Sequence, residues 1–119
     1  MKTILITDDD EFLTSMYKLT LEKIGAEIIV AHDGEQALKM IGGKKPDLLI
    51  LDLLMPKMDG FAVLQKLKEQ GGAMFPIIIL SNLREQMDQQ KCHEMGARDF
   101  FCKSEMDLEE LAEKVKKYL

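Results

Sequence analysis

Residues 48–52 read Leu-Leu-Ile-Leu-Asp, four large apolar side chains in a row closed by a carboxylate. A strand with one wet face alternates apolar and polar residues. An unbroken run therefore predicts a strand buried on both faces, as in a parallel sheet covered by helices. The same pattern occurs at Ile4-Leu5-Ile6, Ile28-Ile29-Val30, Ile77-Ile78-Ile79-Leu80 and Phe100-Phe101-Cys102. Between these runs the apolar residues take helical spacing: Phe12, Met16 and Leu19; Ala37, Leu38 and Ile41; Phe61, Leu64 and Leu67; Leu108, Leu111, Ala112 and Val115. A fourth helix is expected from about Arg84 to Met95. It is the weakest, with Met87, Cys92 and Met95 as its only clear apolar residues.

The punctuation agrees. Gly25 ends the first helix, Asp33-Gly34 turns into the second, Gly42-Gly43 closes it, and Lys45-Pro46 leads into the third strand. Asp107 and Glu110 have the spacing of a capping box for the last helix. Five strands alternating with helices through right-handed crossovers give an α/β fold, a doubly wound parallel sheet. The common strand order is 2-1-3-4-5, with a crevice outside the carboxyl ends of strands 1 and 3, where the winding reverses.

Composition narrows the function. The 119 residues carry 16 basic and 21 acidic side chains, a net charge of −5, which argues against a nucleic-acid or anionic-membrane surface. Cys92 and Cys102 make no disulfide framework, the N-terminus is too short in apolar residues for a signal peptide, and no stretch approaches the ~20 apolar residues of a membrane span. A cytoplasmic protein is expected.

The first polar residues after each run converge on one sheet edge: Asp8 and Asp9 after strand 1, Asp52 after strand 3, Ser81 and Asn82 after strand 4, Lys103 after strand 5. Three carboxylates brought together repel and need a cation. Hard oxygen ligands beside an open cleft, with no histidine at hand, suit Mg²⁺ better than Zn²⁺. An ion held there can clamp a phosphoryl group, with Lys103 and Ser81 on its remaining oxygens. The set reads as a phosphoryl-transfer site whose nucleophile is a carboxylate.

These residues resemble the receiver domain of two-component response regulators. The likeness is carried by Ile4 to Asp9, by Pro46-Asp47 through Asp52-Leu53-Leu54-Met55-Pro56 to Met58-Asp59-Gly60, by Pro76 to Ser81, and by Gly96-Ala97 to Phe100 followed by Lys103. It covers essentially all of residues 1–119, one receiver domain of flavodoxin-like architecture. The resemblance implies that Asp52 is the phosphoacceptor, taking its phosphoryl group from a histidine kinase or histidine phosphotransfer protein. It implies that Asp9, Asp52 and the Leu54 backbone carbonyl ligate Mg²⁺ (or Mn²⁺), with Asp8 acting through water. Lys103 would pair with phosphoryl oxygens, and Ser81 and Phe100 would form a switch pair. The signal would then pass through helix 4, strand 5 and helix 5 to a downstream protein or phosphorelay partner. The chain is expected to be a monomer or a phosphorylation-dependent dimer. The basic residues closing its last helix favour a stand-alone regulator.

Other residues take plainer readings. Asp10 and Glu11 are first-turn residues suited to the helix dipole, and Asp59 starts a helix. His32 and His93 are surface or turn residues away from the crevice, Cys102 is a buried strand residue, and Cys92 belongs to a helix. Departures from the family pattern carry expectations too. Ser104 replaces the usual proline, so a trans Lys103–Ser104 bond and a rearranged loop are expected. Asn82 replaces a small residue, and either restricts access to Asp52 or donates to the phosphoryl group. Leu54 and Leu83 cannot orient water, which predicts slow self-dephosphorylation. Two other classes fit less well. A flavodoxin-like mononucleotide binder would not line its phosphate loop with Asp-Asp-Asp-Glu, and a haloacid-dehalogenase-like phosphohydrolase using Asp8 and Asp10 would need more chain for a cap.

Overall fold

The unalternating runs are the strands. The computed structural model describes residues 1–83 and 85–119. In chain order the elements are β1 (Thr3–Thr7), α1 (Glu11–Glu22), β2 (Glu27–Ala31), α2 (Gly34–Gly43), β3 (Leu48–Leu51), α3 (Gly60–Glu69), β4 (Ile77–Ser81), α4 (Gln86–Glu94), β5 (Asp99–Cys102) and α5 (Leu108–Lys116). A 3₁₀ turn, Lys103–Glu105, lies between β5 and α5. All pairings are parallel, and the order is β2-β1-β3-β4-β5.

Successive side chains of a strand point to opposite faces, so one sheet supplies two cores. Leu5, Leu49, Leu51, Ile77 and Ile79 meet Ala37 and Ile41 of α2, Val63, Leu64 and Leu67 of α3, and Cys92 of α4. On the other face Ile4, Ile6, Leu48, Ile50, Ile78 and Leu80 meet Tyr17 and Leu21 of α1 and Leu111 and Val115 of α5. The three central strands β1, β3 and β4 are buried at every residue.

At β5 the expectation of burial on both faces is corrected. Every residue from Asp99 to Cys102 is half-buried, Cys102 included. The cause is position: β5 is an edge strand with one neighbour. Four helices begin at an aspartate that accepts a main-chain N–H: Asp10 from Leu13, Asp33 from Gln36, Asp59 from Ala62 and Asp107 from Glu110. Asp10 is thus the N-cap of α1, one position before the first turn in which it was expected. The Asp107–Glu110 pair forms the full capping box. By contrast, α4 has no side-chain cap and only Cys92 is buried, while Met87 is 80% exposed. Arg84, where this helix was expected to start, lies outside the described residues. Among the described residues no helix is long and apolar enough to cross a membrane.

The register places the site. Thr7 pairs with both Ala31 and Leu51, so β1, β2 and β3 end level. The Asp8 N–H donates to the Ala31 carbonyl, and the Asp52 N–H to that of Thr7. Each acid is therefore fixed through its own main chain at the switch point. Gly60 holds the loop after β3 against the sheet, because a Cβ there would come within 2.3 Å of the Asp52 carbonyl oxygen.

Candidate functional site

A crevice of about 420 Å³ opens at the carboxyl ends of β1, β3 and β5, lined by Asp8, Asp9, Asp10, Leu13, Asp52, Leu54, Asn82 and Lys103. A larger groove of about 880 Å³ runs between α1 and α5 and contains none of the strand-end acids. One carboxylate oxygen each from Asp8, Asp9 and Asp52 lies within 4.8 Å of the others, close enough for a single ion. Asp8 and Asp52 are buried and Asp9 is exposed, so the cluster is anchored at its base and open at its rim. The donors are all carboxylate oxygens, which fits Mg²⁺ or Mn²⁺ and not a thiolate or imidazole metal site.

Lys103 compensates this charge. Its Nζ lies 2.6 Å from Asp8 Oδ2 and 2.9 Å from Asp52 Oδ2, with the lysine side chain only 11% exposed. Burial pulls the ammonium pKa down, but the hydrogen bonds to Asp8 and Asp52 outweigh it and leave the pKa above the usual lysine value. Asp8 shows the opposite balance. Its burial raises the carboxyl pKa more than Lys103 and the Asp10 N–H, 3.0 Å from Asp8 Oδ1, can lower it. The Leu54 N–H reaches Asp52 Oδ1 at 3.4 Å, holding the side chain of Asp52 toward the crevice mouth.

The residues expected at the site divide into those at the crevice and those beside it. Asp8, Asp9, Asp52, Leu54 and Lys103 meet there. Ser81 is fully buried at the end of β4, its Oγ accepting from the Leu83 N–H at 3.5 Å, while its neighbour Asn82 lines the crevice. Phe100 packs half-buried against the core shared by α2, α3 and α4, next to a cleft of about 240 Å³ between α4 and β5. Of the two leucines, Leu54 is 56% exposed at the crevice, whereas Leu83 packs into the core. The peptide bond after Lys103 is trans, and a 3₁₀ turn occupies the loop.

One contact beside the crevice was not anticipated. His32 follows the last residue of β2, and its Nδ1 lies 3.3 Å from the Asp8 carbonyl oxygen. It supports the main chain of an acid at the site. Its position directly after the run Ile28-Ile29-Val30-Ala31 was the signal in the sequence. Tyr17 was not singled out either. It is buried in α1, and burial raises its phenol pKa, with Lys103 lowering it and the nearby Asp8 and Asp52 raising it further. The spacing read for this helix, Phe12, Met16 and Leu19, is corrected: Phe12 and Leu19 are 73% and 64% exposed, and the face turned to the sheet carries Thr14, Tyr17 and Leu21 instead.

The fold and the acid cluster define a class, the doubly wound parallel domains with a carboxylate site at the switch point. The chain belongs to the response regulator receiver domain family, which it matches over residues 4–116. It is 41% identical over 102 residues to the alkaline phosphatase synthesis transcriptional regulatory protein PhoP of Bacillus subtilis, covering 86% of this chain and 42% of that protein. It is also 41% identical over 112 residues to the transcriptional regulatory protein CpxR of Escherichia coli, covering 94% of this chain and 47% of that one. The chain thus spans less than half the length of these relatives. Among solved structures, the receiver domain of Francisella response regulator 1452 superposes with a TM-score of 0.91 at 30% identity, over 99% of this chain and 96% of that one. The Vibrio cholerae chemotaxis protein CheY4 superposes with a TM-score of 0.90 at 28% identity, over 100% and 99% of the two chains.

Proposed function

We propose that this chain, as a single receiver domain over residues 1–119, is a phosphorylation-dependent switch whose phosphoacceptor is Asp52. The observation that carries the reading is the convergence of Asp8, Asp9 and Asp52 within 4.8 Å, with Lys103 bridging two of them. The donor is a phosphohistidine on a sensor histidine kinase or histidine phosphotransfer protein. An Asp52 carboxylate oxygen attacks phosphorus, the phosphorus–nitrogen bond breaks, and the imidazole leaves and takes up a proton. A bound Mg²⁺ or Mn²⁺ supplies charge neutralisation for the phosphoryl oxygens. Asp9, Asp52 and the Leu54 carbonyl would hold it directly, and Asp8 through water.

Lys103, which bridges Asp8 and Asp52, would turn its ammonium to a phosphoryl oxygen. Ser81 donates its hydroxyl to another, and Phe100 follows inward. The shift is read on the surface of α4, β5 and α5 by a downstream protein or phosphorelay partner. The weak seating of α4, with one buried side chain, supports this. Leu54 at the mouth offers water no polar group, so the acyl phosphate is long-lived. A polar residue at 54 shortens its half-life, and one at 83, where the leucine is packed away, shortens it less.

Acetyl phosphate with Mg²⁺, followed by mass spectrometry of the intact protein, tests the reading. One phosphoryl adduct is expected, absent in Asp52→Ala and present in Asp10→Ala. An adduct that survives in Asp52→Ala overturns it.

A further inference from the structure

The main-chain ladder between β4 and β5 ends at the rung joining Ser81 and Cys102. Beyond it the chains part, one toward α4 and the other into the 3₁₀ turn Lys103–Glu105. That turn receives no side-chain cap from Cys102, the residue before it. The first N–H groups of a helical turn lack acceptors within the turn and need one from elsewhere. Asn82 supplies it across the gap: its Oδ1 accepts the Ser104 N–H at 3.1 Å. The Cys102 thiol fills the same corner, 3.9 Å from Asn82 Oδ1 and 3.3 Å from Ser104 Oγ. The side chain of Asn82 thus adds one more link where the main-chain ladder stops.

The placement matters for the chemistry. Asn82 is the residue after Ser81, and Ser104 the residue after Lys103. The bond therefore joins the two loops one residue beyond each of the side chains assigned to the phosphoryl oxygens. It also needs an N–H at position 104, which every residue except proline provides. We propose that Asn82 is a positioning residue for phosphoryl transfer, its side-chain carbonyl locking the Lys103 turn to the Ser81 loop through the Ser104 N–H. Asn82 and Ser104, two separate oddities in the sequence, are the two halves of this clamp. A displacement of the Ser81 loop then carries the turn after Lys103 with it, and so reaches the start of α5. This inference rests on the phosphoacceptor reading above and names the residue that orients two of its groups.

The test compares wild type with Asn82→Ala, Asn82→Leu, which keeps the bulk without the acceptor, and Asn82→Asp, which keeps the acceptor. In the resting protein, loss of one neutral hydrogen bond speeds exchange of the Ser104 amide about fivefold in the Ala and Leu variants, with Asp close to wild type. Alkylation of Cys102 rises in the same two variants, with buried Cys92 as the internal control. With acetyl phosphate, Ala and Leu both lower the maximal rate of phosphorylation of Asp52 about fivefold to tenfold. Mg²⁺ affinity stays at its wild-type value and the melting temperature falls only by the few degrees that one hydrogen bond accounts for, whereas a general loss of structure would lower both further. Faster phosphorylation in Asn82→Ala would mean that Asn82 only restricts access, and unchanged exchange and rate in Ala and Leu would mean that it does nothing; either result overturns the clamp. A wild-type chain that takes no phosphoryl group, while the Ser104 amide still responds to Asn82, defeats the phosphoacceptor reading and with it the positioning role, but leaves the bond itself standing.

Discussion

The two sides of the crevice are built differently. On one side Asp8 and Asp52 hang from β1 and β3, central strands buried at every residue and hydrogen-bonded on both flanks. On the other, Ser81 ends β4 and is followed by a helix with one buried side chain, and Lys103 follows an edge strand that is half-buried throughout and opens a 3₁₀ turn. Local opening costs least where few apolar contacts must be broken. Under the proposed function the acid side would hold an ion and a phosphoryl group in fixed geometry, while the other side has the freedom to respond. A uniformly rigid sheet would bind phosphate and report nothing.

The largest expected effect comes from removing the cation that spans the two sides. Lys103→Ala leaves Asp8 and Asp52 buried without their partner and is expected to destabilise the protein by about 3 kcal/mol in chelator. Most of that loss should return when Mg²⁺ is added, since an ion that binds only the folded state stabilises it. Denaturant unfolding with and without Mg²⁺ measures both, and equal losses in the two conditions would break the picture of a shared charge site.

On the acid side, Gly60→Ala forces a Cβ against the Asp52 carbonyl and is expected to cost about 2 kcal/mol of global stability. Thermal unfolding reads it directly. Its counterpart on the responsive side is Cys92→Ala, which removes the one buried contact of α4. Here amide exchange should quicken by up to about tenfold across Gln86–Glu94, with protection in β1 and β3 preserved. Equal quickening in all strands would show that α4 does not open by itself.

The smallest effect concerns the far end of β5. The Tyr118 hydroxyl donates to Asp99 Oδ2, and burial followed by this bond pushes the phenol pKa up to about 12 from its usual 10. The folded state holds that proton more tightly than the unfolded chain. Its contribution is therefore full below pH 10 and is lost as the pH rises toward 12. Urea unfolding of wild type and Tyr118→Phe should show a gap that narrows through this window. A constant gap would mean that the bond does not hold α5 to the edge strand.

The legibility of the sequence follows the same division. Runs such as Leu48-Leu49-Ile50-Leu51, too short for a buried helix and bounded by turn residues, read as buried strands, and the acids that end them converge at the switch point once the order is set. The edge was less legible. Phe100-Phe101-Cys102 has the composition of a central strand, and only its place at the end of the order leaves it half-buried. The contacts of His32 with the Asp8 carbonyl and of Asn82 with Ser104 join residues 24 and 22 positions apart. Each depends on how a loop turns after its strand, which side-chain periodicity does not encode. The exposure of Leu54 and the half-buried packing of Leu83 differ for the same reason.

The most direct test of the central claim, that a phosphoryl group fixed on the acid side is read out on the other, is amide hydrogen exchange with and without beryllofluoride and Mg²⁺. Protection in β1 and β3 should remain as it is, while α4, β5 and the Lys103 turn change, and Asp52→Ala should abolish the difference. A change spread evenly over the sheet, or one confined to the acid loops, would contradict it.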